Sequence, residues 1–188
     1  MESERSAAAA GVSRGVIVVT GIMASGKSTV AQALAERLPR AAHVRGDAFR
    51  RMIVSGGVPY EGVPGGEGEA QLRLRYRLSA SAADAYADAG FTAVVQDVIL
   101  GEELRTYVDL VRTRPAYVVV LAPCPEAVAA REEARGKTGY GAWTVEDLDA
   151  ILRERTPKVG LRLDTSELTV EETVDAILAR LDEARVDR

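Results

Sequence analysis

The chain has 188 residues, 47% of them apolar and 28% charged, with a net charge of −4. That length suits one domain with a core of ordinary size. The acidic balance argues against any general attraction to nucleic acid or to an anionic membrane. No apolar run approaches the roughly 20 residues that a membrane-spanning helix needs. The start, Met1-Glu2-Ser3-Glu4-Arg5, is too acidic for a secretion signal. Residues 1–13 therefore read as a flexible tail ahead of a domain over 14–188. The one cysteine, Cys124, permits no internal disulfide, which fits a cytoplasmic protein. Between Pro123 and Pro125 it reads as a packed thiol. His43 is the only histidine, which leaves little for a histidine zinc site or a serine–histidine triad.

Val16-Ile17-Val18-Val19-Thr20 is a β-branched run that predicts a buried strand. Directly after it comes Gly21-Ile22-Met23-Ala24-Ser25-Gly26-Lys27-Ser28, a complete G-x-x-x-x-G-K-[ST] loop. Thr29 to Leu38 then carries Val30, Leu34 and Leu38 at i, i+4 and i+8, the period of a helix. Strand, glycine loop and helix are the context in which successive backbone N–H groups converge on a phosphate, aided by the helix N-terminus. Gly21, Ala24, Ser25, Gly26, Lys27, Ser28 and Thr29 are the candidate nucleotide-binding residues. Lys27 supplies a charge to the β- and γ-phosphates, and the Ser28 hydroxyl is a candidate Mg²⁺ ligand.

Further on, Ala41 to Arg45 predicts a second strand and Asp47 to Val54 a short helix. Ser55 to Gly68 is rich in Gly and Pro and predicts a loop. A long helix follows from about Glu69 to Ala89, closed by Gly90, and Thr92 to Ile99 predicts a third strand. Glu102 to Arg112 is helical, Ala116 to Leu121 is the clearest strand, and Pro125 to Arg135 is a further helix. After the loop Gly136 to Gly141, Thr144 caps a helix that runs to about Glu154. Leu161 to Asp164 predicts a fifth strand and Thr169 to Ala184 the closing helix. This alternation predicts an α/β fold, a five-stranded parallel sheet with helices on both faces. Ligands then bind beyond the carboxyl ends of the strands.

The polar residues at those ends are the candidate site. Asp47, after the second strand, reads either as the base that takes a proton from a substrate hydroxyl or as an N-cap of its helix. Asp97, in or at the end of the third strand, needs a reason to lie among Val and Ile. Three roles fit it: a water-mediated Mg²⁺ ligand, a hydrogen bond to substrate, or a cap of the next turn. Arg131, Arg135 and Lys137 gather at a helix end, where Arg131 and Arg135 share a face and could neutralise phosphate charge. Arg50 and Arg51 are weaker candidates for substrate contact. Arg73, Arg75 and Arg77 alternate along the long helix and read as solvent-facing.

Beyond the phosphate loop, four stretches carry a resemblance: Arg45-Gly46-Asp47-Ala48-Phe49, Gln96 to Gly101, Arg131 to Gly136, and Leu163-Asp164-Thr165-Ser166. From about Val16 to Leu178 the chain resembles the small P-loop kinases of metabolites, the branch that includes adenylylsulfate kinase, gluconate kinase and chloramphenicol phosphotransferase, with the last as the closest likeness. The resemblance implies a P-loop kinase fold with a small lid at about 135–143. It also implies ATP and Mg²⁺ as cofactors and a small-molecule hydroxyl as acceptor, either an antibiotic such as chloramphenicol or a metabolite. Asp47 becomes the general base, acting with Lys27 and Arg135. Arg131 and Arg135 contact ATP, Thr165 and Ser166 border adenine, and Ser28 with Asp97 places the metal. No nucleic-acid or membrane partner is expected, and the oligomeric state is left open. Gln96 departs from this pattern, standing where an acid is expected, and so does the individual sequence of Ser55 to Gly68. The competing readings are a nucleoside or nucleotide kinase, a polynucleotide-end kinase, and a non-catalytic ATP-dependent switch.

Overall fold

The computed structural model describes residues 14–135 and 143–186, so the expected tail and residues 136–142 of the expected lid lie outside the described residues. At its centre is β1 (Gly15–Gly21), flanked by β3 (Thr92–Gln96) and β4 (Ala116–Leu121), with β2 (Ala41–Arg45) and β5 (Leu161–Leu163) outside them. The order is β2-β3-β1-β4-β5, every neighbour parallel. β6 (Arg185–Val186), which the sequence reading did not include, runs antiparallel to the start of β4.

Both faces of a parallel sheet are buried, and the central strands show it in their composition. Val16, Val18, Val95, Val118 and Val120 point to one side. There they meet α3 (Glu67–Asp88) through Tyr76, Ala80, Ala83 and Ala87, and α4 (Glu103–Leu110) through Leu104 and Tyr107. Ile17, Val19, Val94, Val119 and Leu121 point to the other. They pack on α1 (Lys27–Arg37) through Val30 and Leu34, and on α7 (Val170–Ala179) through Val174 and Ile177. Neighbouring residues of one strand thus serve opposite layers, the period-two rule of an extended chain.

The remaining helices are α2 (Gly46–Arg51), α5 (Pro125–Arg135), α6 (Val145–Ala150) and α8 (Leu181–Ala184). Where the sequence reading ran the helix after Thr144 on to Glu154, α6 stops at Ala150 and continues as a π turn over Ile151–Arg155. Thr144 caps α6 by accepting from the Asp147 N–H, while Asp147 accepts from the Thr144 N–H.

His43 on the edge strand β2 donates from Nδ1 to Gln32 Oε1 at 2.8 Å. Burial, reinforced by the Arg45 charge, pulls its pKa from 6.5 down to about 4. The ring folds in its neutral form, so its stabilising contribution is intact above pH 6.5 and is lost as the pH falls from there through about 4. Urea unfolding across that interval should show a loss of about 2 kcal/mol attributable to this ring, discounted for its partial exposure. His43→Gln should flatten the loss.

Candidate active site

Strand register brings the functional segments to one rim. Val19 lies opposite Gln96 and Gln96 opposite Arg45, while Gly21 lies opposite Leu121 and Leu121 opposite Leu163. The loops after β1, β2, β3 and β5 therefore leave the sheet side by side. The end of β1 is two strand spacings, about 10 Å, from the end of β2.

The loop after β1 is built from left-handed backbone. Gly26 has φ of 92°, and Ala24, at 58°, is the only described non-glycine residue with positive φ. A side chain at Gly21 (φ 154°) would meet Leu121 O at 2.6 Å and Ser25 Oγ at 2.7 Å. These conformations turn consecutive N–H groups into one concavity, an anion-binding arrangement. α1 begins at Lys27, with Val30 N bonded to Gly26 O at 3.0 Å. Lys27 is buried, and its Nζ donates to Ile22 O at 3.0 Å. Ser28 and Thr29 are exposed at the helix start. Ser25 Oγ is buried with no hydrogen-bond partner in the structure, which suits a loop that awaits a polar ligand.

On the β2 side, Asp47 is half-exposed at the start of α2. It accepts from Arg50 Nε at 2.9 Å and pairs with Arg51 at 3.3 Å. Partial burial pushes its carboxyl up, but the Arg50 hydrogen bond and the charges of Arg50, Arg51 and Arg75 outweigh that and hold it below the usual range. Asp47 is thus an anion throughout the neutral range. Just beside it Asp97 is fully buried, one residue beyond β3. Its Oδ2 accepts from Arg75 Nε at 2.7 Å, its Oδ1 from Arg75 Nη2 and from Val98 N. Thr20 fastens the next turn, donating to Ile99 O and accepting from Ile99 N, both at 2.9 Å.

Across the phosphate loop from Asp47 lies a cavity of about 340 Å³ lined by Gly26, Thr29, Arg131, Thr165, Leu168 and Thr173, among others. Arg131 spans it, donating from Nη1 to Ser25 O at 3.3 Å and from Nη2 to Thr165 O at 2.7 Å. Thr165 Oγ1 is buried there without a partner. Among the described residues no group of three or more His, Cys, Asp or Glu side chains could hold a metal. A Mg²⁺ ion carried in by phosphates and one hydroxyl needs no such cage, so Ser28 fits that role.

A protein-family model described as an AAA domain matches residues 16–158. The chain belongs to the AAA_33 family. No relative was found among curated proteins. Solved structures share the fold. A sugar kinase from Janibacter sp. is 24% identical over 92% of this chain and 96% of its own, with a TM-score of 0.64. The APS kinase CysC of Mycobacterium tuberculosis, in complex with AMPPNP and APS, is 19% identical over 90% and 99%, with a TM-score of 0.66. A tunicamycin resistance protein of Deinococcus radiodurans is 20% identical over 93% and 99%, with a TM-score of 0.66. The sheet flanked by helices is that of the P-loop kinases.

The AAA_33 match takes in the phosphate loop, Asp47, Asp97 and Arg131, and ends before β5. At three positions, two of them within this match, the structure shows contacts that the sequence reading did not foresee. Asp97, expected to help place a metal, has both carboxylate oxygens engaged by Arg75. Arg75, expected to face solvent, is largely buried against that carboxylate. Its place beside the buried stripe of Tyr76, Ser79 and Ala83 was a signal, since a buried acid requires a cation nearby. Ser166, expected beside adenine, ties its own loop: its Oγ accepts from Cys124 N at 2.8 Å and donates to Asp164. Arg135 ends α5, and its side chain lies outside the described residues, as does Lys137. At the near end of the expected lid, Trp143 lies on the Ser55–Gly68 loop, where a Cβ on Gly62 would come within 2.6 Å of its ring.

Arg131→Ala should weaken nucleotide binding about tenfold by removing the clamp between the phosphate loop and Thr165, a loss in line with charged hydrogen bonds. Titration calorimetry with a non-hydrolysable ATP analogue measures it.

Proposed function

We propose that the protein is an ATP- and Mg²⁺-dependent phosphotransferase that moves the γ-phosphoryl group to a hydroxyl of a small molecule. The observation that carries this reading is the phosphate-binding loop and an anionic Asp47 on one rim, at the ends of strands two spacings apart.

In this reading the loop N–H groups and Lys27 hold the β- and γ-phosphates, while Arg131 and Thr165 border the nucleoside. Ser28 is the protein's ligand to Mg²⁺, which when bound would neutralise charge on the phosphate oxygens. Asp47 accepts a hydrogen bond from the acceptor hydroxyl and aims its oxygen at the γ-phosphorus. As the new P–O bond forms, the bond from the γ-phosphorus to the β–γ bridging oxygen breaks, ADP leaves, and the hydroxyl proton passes to Asp47. A carboxylate of lowered pKa is a weak base. That suffices because the transition state is loose and the proton moves late, so positioning outweighs basicity.

Hydroxylated antibiotics and hydroxylated metabolites are the acceptors this reading favours. The net charge of −4 disfavours oligonucleotide ends. The test is ADP release with Mg²⁺ATP over a panel of antibiotics, sugars, nucleosides and short oligonucleotides. Turnover that rises only with a particular hydroxyl compound supports the kinase. Turnover indifferent to every acceptor, with no phosphorylated compound, supports the ATP-dependent switch instead.

A further inference from the structure

Asp97 is fully buried, yet no metal or substrate group is needed to explain it. Arg75 grips both its oxygens side-on through Nε and Nη2, and the Val98 N–H adds a third bond. What this carboxylate touches next is the backbone that precedes Asp47. A Cβ built on Gly46 would sit 1.8 Å from Asp97 Oδ2 and 2.4 Å from its Cγ. Gly46 is itself buried, and its backbone needs no left-handed angle. Its lack of a side chain is therefore required by the carboxylate lying against it. Arg75 comes from α3, a 22-residue helix anchored on the sheet, with Tyr76 Oη bonded to Val98 O at 2.8 Å. α3, the end of β3 and the first turn of α2 thus meet at one ion pair, directly behind Asp47.

We propose that Arg75 is a positioning residue for phosphoryl transfer, acting through Asp97 and Gly46 to fix the turn that presents Asp47 to the acceptor. The inference rests on the reading of Asp47 given above. It assigns Asp97 to this bracket and leaves Ser28 as the protein's metal ligand. An ion pair suits the task because its two parallel N–H···O bonds fix direction as well as distance. A single point charge does not.

Removing one partner leaves a buried charge and endangers the fold, so the informative variant is the double change Arg75→Met with Asp97→Asn. It leaves no buried charge, keeps the shape of the 97 side chain, and removes the fork. Arg75→Lys is made beside it. Two readouts are taken on folded protein. Amide hydrogen exchange over residues 44–50 should quicken about tenfold in the double variant, with residues 21–28 unchanged. With the acceptor found in the panel, kcat should fall about 100-fold, the cost of misplacing a reacting group by about 1 Å, while the KM for ATP stays put. Arg75→Lys should recover the melting temperature but only part of kcat. Unchanged exchange over 44–50 overturns the proposal whether or not the protein proves to be a kinase. So does a double variant with wild-type kcat, since it would show that the pair serves stability alone. An absence of any acceptor-dependent turnover in the wild type counts against the kinase reading, and the exchange result still decides whether the bracket exists.

Discussion

Asp47→Asn is expected to cut acceptor-dependent phosphoryl transfer by about 10²- to 10⁴-fold, the range for losing a positioned acid–base group, with ATP binding unchanged. The variant is nearly isosteric. The amide can still accept a hydrogen bond from a hydroxyl, but it cannot take the proton as the P–O bond forms. The fold should tolerate the change, because the ion pairs lost, to Arg50 and Arg51, are exposed and contribute little. Asp47 follows β2 and makes no contact with the loop after β1 among the bonds observed, so nucleotide affinity should not move. Initial rates with the acceptor, and calorimetry with an ATP analogue, separate the two quantities. A fall in rate matched by a fall in ATP affinity would instead place Asp47 in nucleotide binding.

Lys27→Met should have the other large effect, about a 10³-fold loss in kcat/KM for ATP, comparable to removing a preorganised donor to a developing charge. Here both parameters should suffer. Lys27 is buried at the first turn of α1, its ammonium held at Ile22 O within the loop that would wrap the phosphates. The charge is therefore in place before the nucleotide arrives and needs little reorganisation to act. Methionine keeps the aliphatic stem and the packing but lacks the charge, so the melting temperature should stay close to that of the wild type. Asp47→Asn and Lys27→Met together distinguish acceptor from donor: the first lowers transfer alone, the second transfer and ATP affinity.

The phosphate loop was legible in the sequence because its geometry depends on glycines at fixed positions between a strand and a helix, all local features. The central strands were legible for a similar reason: burial on both faces forces unbroken apolar runs such as Val16 to Val19 and Tyr117 to Leu121. The third strand was read too long, to Ile99. Val98 and Ile99 are apolar, but the last ladder bond comes from Asp97 N to Val19 O, the Asp97 side chain turns to Arg75, and Thr20 holds Ile99 in a turn. Arg75 itself was misread because helical spacing shows which face a residue occupies and not what the next element presents to it. Its partner lies 22 residues away. The hydroxyl of Ser166 was out of reach for the same reason, since its partner Cys124 N lies 42 residues away, beyond β4. β6 is two residues long, and pairing of that length carries no periodicity to detect.

The most direct measurement is to incubate the protein with Mg²⁺ and ATP labelled with ¹⁸O in the γ-phosphoryl group, together with the acceptor panel, and to weigh the acceptors by mass spectrometry. One hydroxyl compound should gain a single labelled phosphoryl group with wild-type protein and almost none with Asp47→Asn. Label appearing only in inorganic phosphate, equally with both proteins and with every acceptor, would contradict it.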